Sequence, residues 1–476
     1  MIRIRVLTPA ILALLGPRAA PGQAAEVPFG VTRMALDLTV DYGRRSIRGT
    51  QTLWLRNVSR RDAEEVPLLL NRLMTVSRVA DLRGGAVRFR QDVVLFEDDS
   101  IRQVNAVVVR LERPLPAGDS LAIVVHYGGR LVGYAETGSR YIQDNVNRDF
   151  TIIREDALAF PVLGRPSWTV NRSIRRDPFA FAARITVPTD VIVAMGGRFA
   201  DTTRRDSLVT WAYQSDGPVP FLNIAIAPYH VLDHGGARVF HFPQDSAGAQ
   251  TLERAAAGAV RLYSTWYGTP DQEPHLTIME IPEGWGSQAS LTAGIIQTAD
   301  AFRNRAQLYQ LYHELSHVWN PADRDEPSPR WNEGLASFLQ WRVAAELDGW
   351  NDWDGWLSRQ ELSLRNRCKL PAPCATVPLA DYGKSGLTDM SYPVGAVMFY
   401  SLYHALGAAT FDRIYRDVFQ RYRKGGALTA DVMAAFTRAD TVGAQIVADW
   451  FSTNRWYVRL SQGESLRQIT DSYVRK

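Results

Sequence analysis

Residues 312–320 read YHELSHVWN. His313 and His317 are one helical turn apart, so on a helix their rings project from one face. Leu308, Leu311, Tyr312, Leu315, Val318 and Trp319 recur at helical spacing as an apolar stripe, which predicts that helix. Two imidazoles so placed can take two corners of a tetrahedral zinc site. Glu314 stands beside the first, where a carboxylate can act as general base on a water polarised by the metal. Two histidines alone also fit a helix with polar surface residues, so a third ligand decides. WNEGLASFLQW, beginning at Trp331, supplies Glu333 at the start of a second predicted helix. The helix dipole favours a carboxylate in a first turn whatever its role. Jointly with His313, Glu314 and His317, Glu333 completes a catalytic zinc set of two histidines and one glutamate with one position open.

The pattern around this stretch is helical. AQTLERAAAGAVRLYSTWYG predicts a helix stopped by Gly268, HLTIMEIP a strand, and VGAVMFYSLYHALG and ATFDRIYRDVFQRY further helices. The chain before it is of another kind. Met34, Leu36, Leu38 and Val40 alternate with polar or small residues, as in a half-buried strand. VVVRLERPLPAGDSLAIVVHY has the outline of a hairpin around a Pro-Ala-Gly-Asp turn. FAARITVPTDVIVAMGG and FLNIAIAPYHVL continue in the same style. The expected architecture is α+β and multidomain: a β-rich domain over 28–236, then a mostly helical domain over 237–476, with the division near HGGAR. A chain of 476 residues exceeds what one core organises, in keeping with this division.

HELSH followed by NEG resembles the gluzincin zinc aminopeptidases, the membrane alanyl aminopeptidase and leukotriene hydrolase type. The resemblance implies a saddle-like β-rich N-terminal domain and a thermolysin-like catalytic domain that uses one zinc ion on peptide substrates. The stretch between His317 and Glu333 is shorter than is usual there, which bears on the shape of the cleft floor. Family members carry a G-x-M-E-N-W-G segment whose glutamate binds the substrate's free amine. IPEGWGSQ stands in that place, with Glu283, Trp285 and Gly286 matching. The resemblance thus implies Glu283 as the amine anchor; a turn residue after a strand is the competing reading. A family tyrosine in Y-x-K-G falls on Tyr392 of SYPVGAVMFYSL, with Gly395 matching and Val394 replacing the lysine. Pro393 suits a helix's first turn, and Tyr392 beside it could donate to the oxyanion of a tetrahedral intermediate. MALDLTVDYGRRSIRGT resembles the first strands of the N-terminal domain, and AFPVLGRPSW a degenerate F-P-x-x-D-x-P segment. Glu155, shortly before it, is a second amine-binding candidate, against the reading of an ordinary surface glutamate. The resemblance runs to IVADWFSTNRW and does not extend to the large helical C-terminal domain of many members, which implies a more open cleft.

Other features bound the function. The net charge of +4 is carried by scattered arginines rather than a concentrated basic face, which argues against a nucleic-acid partner. Arg3 and Arg5, then VLTPAILALLG, then small residues, form the layout of a secretory signal peptide over 1–24, so export to the periplasm or outside is expected. An uncleaved membrane anchor shares that layout. No later stretch is apolar enough to span a membrane. In an oxidising compartment, Cys368 and Cys374 of CKLPAPC would form a short-loop disulfide; as a metal pair they lack two further ligands nearby. His230 and His234 are also four apart, but Gly235 and Gly236 follow and point to a loop. No phosphate-binding G-x-x-x-x-G-K-[ST] loop and no G-x-S-x-G elbow occur. The expectation is a zinc metallopeptidase, most simply an aminopeptidase. A zinc endopeptidase with an open cleft, or a noncatalytic protein that kept the fold, are the alternatives.

Overall fold

Met34, Leu36, Leu38 and Val40 face inward from the strand Phe29–Asp41, as their alternation predicts. Their strand is central in a seven-stranded sheet ordered Arg198–Arg205, Leu208–Gln214, Ala180–Pro188, Phe29–Asp41, Ser46–Asn57, Ser120–Arg130, Met74–Ala80. A second sheet, Phe89–Phe96, Asp99–Leu115, Ala63–Leu70 and Val162–Leu163, packs on it through Val66, Leu68, Leu70, Val107 and Val109. Each such side chain taken fully out of water stabilises the sandwich by about 1.5–3 kcal/mol. The computed structural model describes residues 27–474 except 168–169, 172–176, 235–236, 271–275, 291, 326 and 370–372. The expected signal peptide over 1–24 lies outside the described residues.

Two local expectations change. The runs on either side of the Pro-Ala-Gly-Asp turn are strands, but they do not pair with each other. Asp99–Leu115 pairs with Ala63–Leu70 and Phe89–Phe96, whereas Ser120–Arg130 pairs with Ser46–Asn57 and Met74–Ala80. The turn is a corner between two sheets. Buried Asn57 pins it, with its amide nitrogen donating to the Leu115 carbonyl and its own carbonyl accepting from the Gly118 N–H. Alternation fixes which face of a strand is buried but not which strand lies beside it. The second change concerns His230–His234, read as a loop and found as a strand antiparallel to Ala237–His241. Val231 and Leu232 carry the β pattern there, and the glycine pair follows the strand rather than preventing it. This hairpin belongs to the same sheet as Leu276–Ile281 and Gly294–Thr298 of the second domain.

That sheet is ordered His230–His234, Ala237–His241, Leu276–Ile281, Gly294–Thr298, Gln288–Ser290. Helix α1 (Ser246–Tyr267) crosses over between the parallel strands Ala237–His241 and Leu276–Ile281 and stops at Gly268, where φ is +90°. The remaining chain is helical: α2 (Tyr309–Ser316), α3 (Trp331–Asp348), α4 (Trp353–Arg367), α5 (Ser391–Leu406) and α6 (Ala408–Tyr422). No helix among the described residues is long and apolar enough to cross a membrane. Cys368 and Cys374 are bonded to each other just after α4.

Candidate zinc and catalytic site

Helix α2 is short, and aromatic residues fix its end. The Tyr263 hydroxyl donates to the Tyr312 carbonyl at 2.8 Å, and the Trp319 indole donates to the Gly268 carbonyl at 2.8 Å. Tyr415 donates to both Trp319 O and Asn320 Oδ1. His313 lies in the last turn of α2, and His317 opens the single 3₁₀ turn that follows. Their rings meet edge to face with centroids 5.1 Å apart.

Glu333 reaches the histidines from α3. Its Oε2 lies 3.3 Å from His313 Nε2 and 3.5 Å from His317 Nε2. One donor atom from each of the three falls within 4.8 Å of the others, the only such cluster of three or more among the described residues. The donor set itself fits zinc: two imidazole nitrogens and one carboxylate oxygen. A second observation agrees. His313 Nδ1 faces Gln340 Oε1 at 3.0 Å, an acceptor that keeps the proton on Nδ1 and leaves the Nε2 lone pair for a metal. Burial alone would raise the Glu333 pKa, but the facing His313 and His317 rings, when protonated, outweigh it and hold the carboxylate well below its usual range.

Close helix packing brings the fifth residue in. A methyl group on Gly334 would stand 2.6 Å from the Cα of Gly395, and one on Gly395 would stand 2.8 Å from the Cα of Gly334. Helices α3 and α5 therefore touch backbone to backbone. That contact sets Tyr392, the second residue of α5, beside the histidines: its ring stacks on His313 with centroids 6.1 Å apart. Burial, with the nearby Glu333 carboxylate, keeps the Tyr392 hydroxyl protonated far above neutral pH. Glu314 is half-buried on the same cleft wall, and burial pushes its pKa up to about 7.

The cleft has a volume of about 960 Å³, at the upper end of the roughly 300–1,000 Å³ of an ordinary small-molecule pocket. His313, Glu314, His317, Glu333 and Tyr392 all line it, together with Arg330, Asp389 and the edge strand Gln288–Ser290. The first domain forms the opposite lip and holds that edge strand. Gln288 donates to Asp156 Oδ2 and accepts from Asn223, and buried Arg154, paired with Asp144, donates to the Trp285 carbonyl. The loop from Pro321 to Arg330 is tied down by backbone bonds between Ala322, Arg324 and Ala427.

The other two expected residues are placed elsewhere. Glu283 sits in the turn after Leu276–Ile281, 60% exposed, facing Arg303 at 3.5 Å and outside the cleft lining. Its matched neighbour Trp285 is a core residue packed on Phe150. Glu155 lines a separate apolar pocket of the first domain with Met34, Leu53, Phe160 and Phe179. Two residues of the site were not singled out in the sequence. Gln340 follows Glu333 by seven positions on α3, a spacing that returns to one helix face, so helical periodicity alone could have nominated it. Arg330, three before Glu333, donates from Nη2 to Glu333 Oε1 at 2.7 Å and to the Tyr392 hydroxyl at 3.1 Å.

No family model matches the chain. Among curated proteins, Aminopeptidase M1-A of Oryza sativa subsp. japonica is 21% identical over 396 residues, covering 75% of this chain and 43% of the rice protein. The chain thus spans less than half the length of that relative. Among solved structures, an M1 zinc metallopeptidase from Deinococcus radiodurans is similar with a TM-score of 0.63 and 19% identity, covering 89% of this chain and 94% of that one. A mutant of it bound to the substrate Tyr-Ser-Ala gives 0.64 at 20% identity over the same shares. Yeast LTA4 hydrolase in complex with bestatin gives 0.64 at 16% identity, over 91% of this chain and 71% of that one. At these identities the likeness is one of fold: the chain has the fold of the M1 zinc metallopeptidases.

Proposed function

We propose that this protein is a zinc-dependent peptidase that removes N-terminal residues from peptides. One observation carries the reading: His313, His317 and Glu333 converge on one point in a cleft that Glu314 and Tyr392 also line. Those three would hold one zinc ion, which when bound supplies Lewis acidity toward a water and the scissile carbonyl. The rest is the work of this chain's own groups. Glu314 takes the proton of the attacking water and passes it to the leaving amine nitrogen. Tyr392 donates its hydroxyl proton as a hydrogen bond to the carbonyl oxygen as charge develops on it. The edge strand Gln288–Ser290 offers backbone along which an extended peptide can lie.

The aminopeptidase reading draws support from the rice relative and from the tripeptide substrate held by the Deinococcus enzyme. An endopeptidase is the second reading, and one observation favours it: Glu283, the expected amine anchor, lies outside the cleft. Hydrolysis of an aminoacyl anilide, free and N-acetylated, with and without a chelator, separates the two. Turnover of the free substrate alone supports the aminopeptidase. Equal turnover of both supports the endopeptidase. No chelator-sensitive turnover of any peptide would sink both. Export is part of the same proposal, supported by the pattern of residues 1–24 and by the bonded cysteine pair. Detecting the mature N-terminus after expression with the leader tests it.

A further inference from the structure

Arg330 is the residue before α3, and its backbone is left-handed, with φ 56° and ψ 41°. Of the four non-glycine residues with positive φ among the described residues, Arg45, Leu158 and Asp206 lie in turns between strands or at the end of a 3₁₀ turn. Arg330 alone stands at the start of a long helix. Serine, aspartate or asparagine would ordinarily cap that position with a side-chain oxygen, and Arg330 gives no such cap. Strain and the missing cap both count against this conformation unless another interaction offsets them. The strained backbone is held from behind: the Arg330 N–H donates to Ser328 Oγ, and Ser328 donates to Asp323.

What the conformation achieves is visible at the guanidinium. One nitrogen, Nη2, donates to Glu333 Oε1 at 2.7 Å and to the Tyr392 hydroxyl at 3.1 Å. The first bond occupies one carboxylate oxygen of Glu333 and leaves Oε2 to face both imidazoles. The second makes the Tyr392 oxygen an acceptor, so its own proton is turned to another partner. We propose that Arg330 is a positioning residue that fixes Glu333 as a one-oxygen zinc ligand and sets the donor direction of Tyr392. It couples the metal site on α3 to the tyrosine on α5 through one nitrogen. This inference rests on the zinc-peptidase reading.

The test uses the full chain and three proteins: wild type, R330G and R330K. Glycine relieves the left-handed strain at no steric cost, so R330G keeps or raises the melting temperature of the zinc-free protein. Zinc affinity, measured by competition with a chromophoric chelator, is expected to fall about 10–100-fold in R330G. R330K, whose ammonium can donate to both oxygens, restores most of that loss. In zinc-saturated protein, R330G lowers kcat more than it raises KM. Zinc affinity and kcat equal to wild type in R330G would reduce Arg330 to a helix-start residue and overturn the inference. So would a defect confined to KM for peptides with a free C-terminal carboxylate and absent for their amides, since Arg330 would then be reading substrate. A wild-type protein that binds no zinc fails at an earlier point: it removes the peptidase reading and this inference with it.

Discussion

In the proposed reaction Glu314 and Tyr392 act at different atoms, so their losses are separable. Glu314→Gln keeps the shape of the cleft wall and removes the proton acceptor; kcat should fall about 10²–10⁴-fold while bound zinc stays at the wild-type level. Elemental analysis beside a steady-state assay checks both halves, and a variant that loses zinc would mean that Glu314 acts on the ligands instead. Tyr392→Phe keeps the ring stacked on His313 and removes one donor. A fall in kcat of about 10²–10³-fold with KM little changed is expected if that donor serves the transition state; an equal rise in KM would make it a ground-state binder. The candidate ligands and the candidate base were legible from YHELSHVWN and NEG because both motifs are local, and helical spacing converts directly into a shared face. Tyr392 was legible only through the family resemblance. Its position depends on two helices meeting, which no local spacing encodes. Arg330 was not legible at all. An arginine before a helix predicts nothing until its backbone is seen to be left-handed.

The meeting of α3 and α5 is where element packing becomes chemistry. Gly334 and Gly395 are the glycines of the two motifs, and they face each other across the crossing. Neither has positive φ, so what is required of them is the absence of a side chain. Gly334→Ala would push the helices apart or strain both, at a cost of about 1–3 kcal/mol. Because Glu333 and Tyr392 ride on those helices, the same change should weaken zinc binding and lower kcat. A urea melt together with a zinc titration measures this, and full activity at reduced stability would disconnect the crossing from the site. Most elements were readable from periodicity: α1 and its stop at Gly268, the alternating strand at Met34–Val40, the fully buried strand Leu276–Ile281. Pairing was less readable. The Pro-Ala-Gly-Asp turn looked like a hairpin because strands and turn are local features, whereas the sheet each strand joins depends on partners far along the chain. The match of Glu283, Trp285 and Gly286 to the family segment is likewise a local feature. Trp285 and its neighbours hold a core position beside Phe150, and being close in sequence to that position did not bring Glu283 into the cleft.

The two domains are not beads on a linker. Phe150, Ile152, Ala225 and Tyr229 of the first pack with Phe240, Met279, Ile281, Trp285 and Ile296 of the second in one shared core. That core fixes the two lips of the cleft relative to each other, so its integrity should show in the stability of the whole molecule. Glu280 lies beneath it, fully buried, with Oε2 accepting the Phe242 N–H at 2.6 Å. Burial, and then the neighbouring Asp245 carboxylate, push its pKa up to about 9. The ordinary value is about 4.3, so between those limits the folded protein holds a proton that the unfolded chain has released. The sign follows from linkage. The stabilising effect of that proton is complete below about pH 4 and is lost as pH rises toward 9, at up to about 1.4 kcal/mol per pH unit. Glu280→Gln keeps an acceptor for Phe242, adds a donor beside Asp245 and has no proton to lose. Urea midpoints from pH 5 to 9 should therefore decline less steeply for Glu280→Gln than for wild type, with the gap widest at pH 9. Parallel curves would mean that Glu280 is ionised in the folded state, with its charge solvated or paired within the interdomain core.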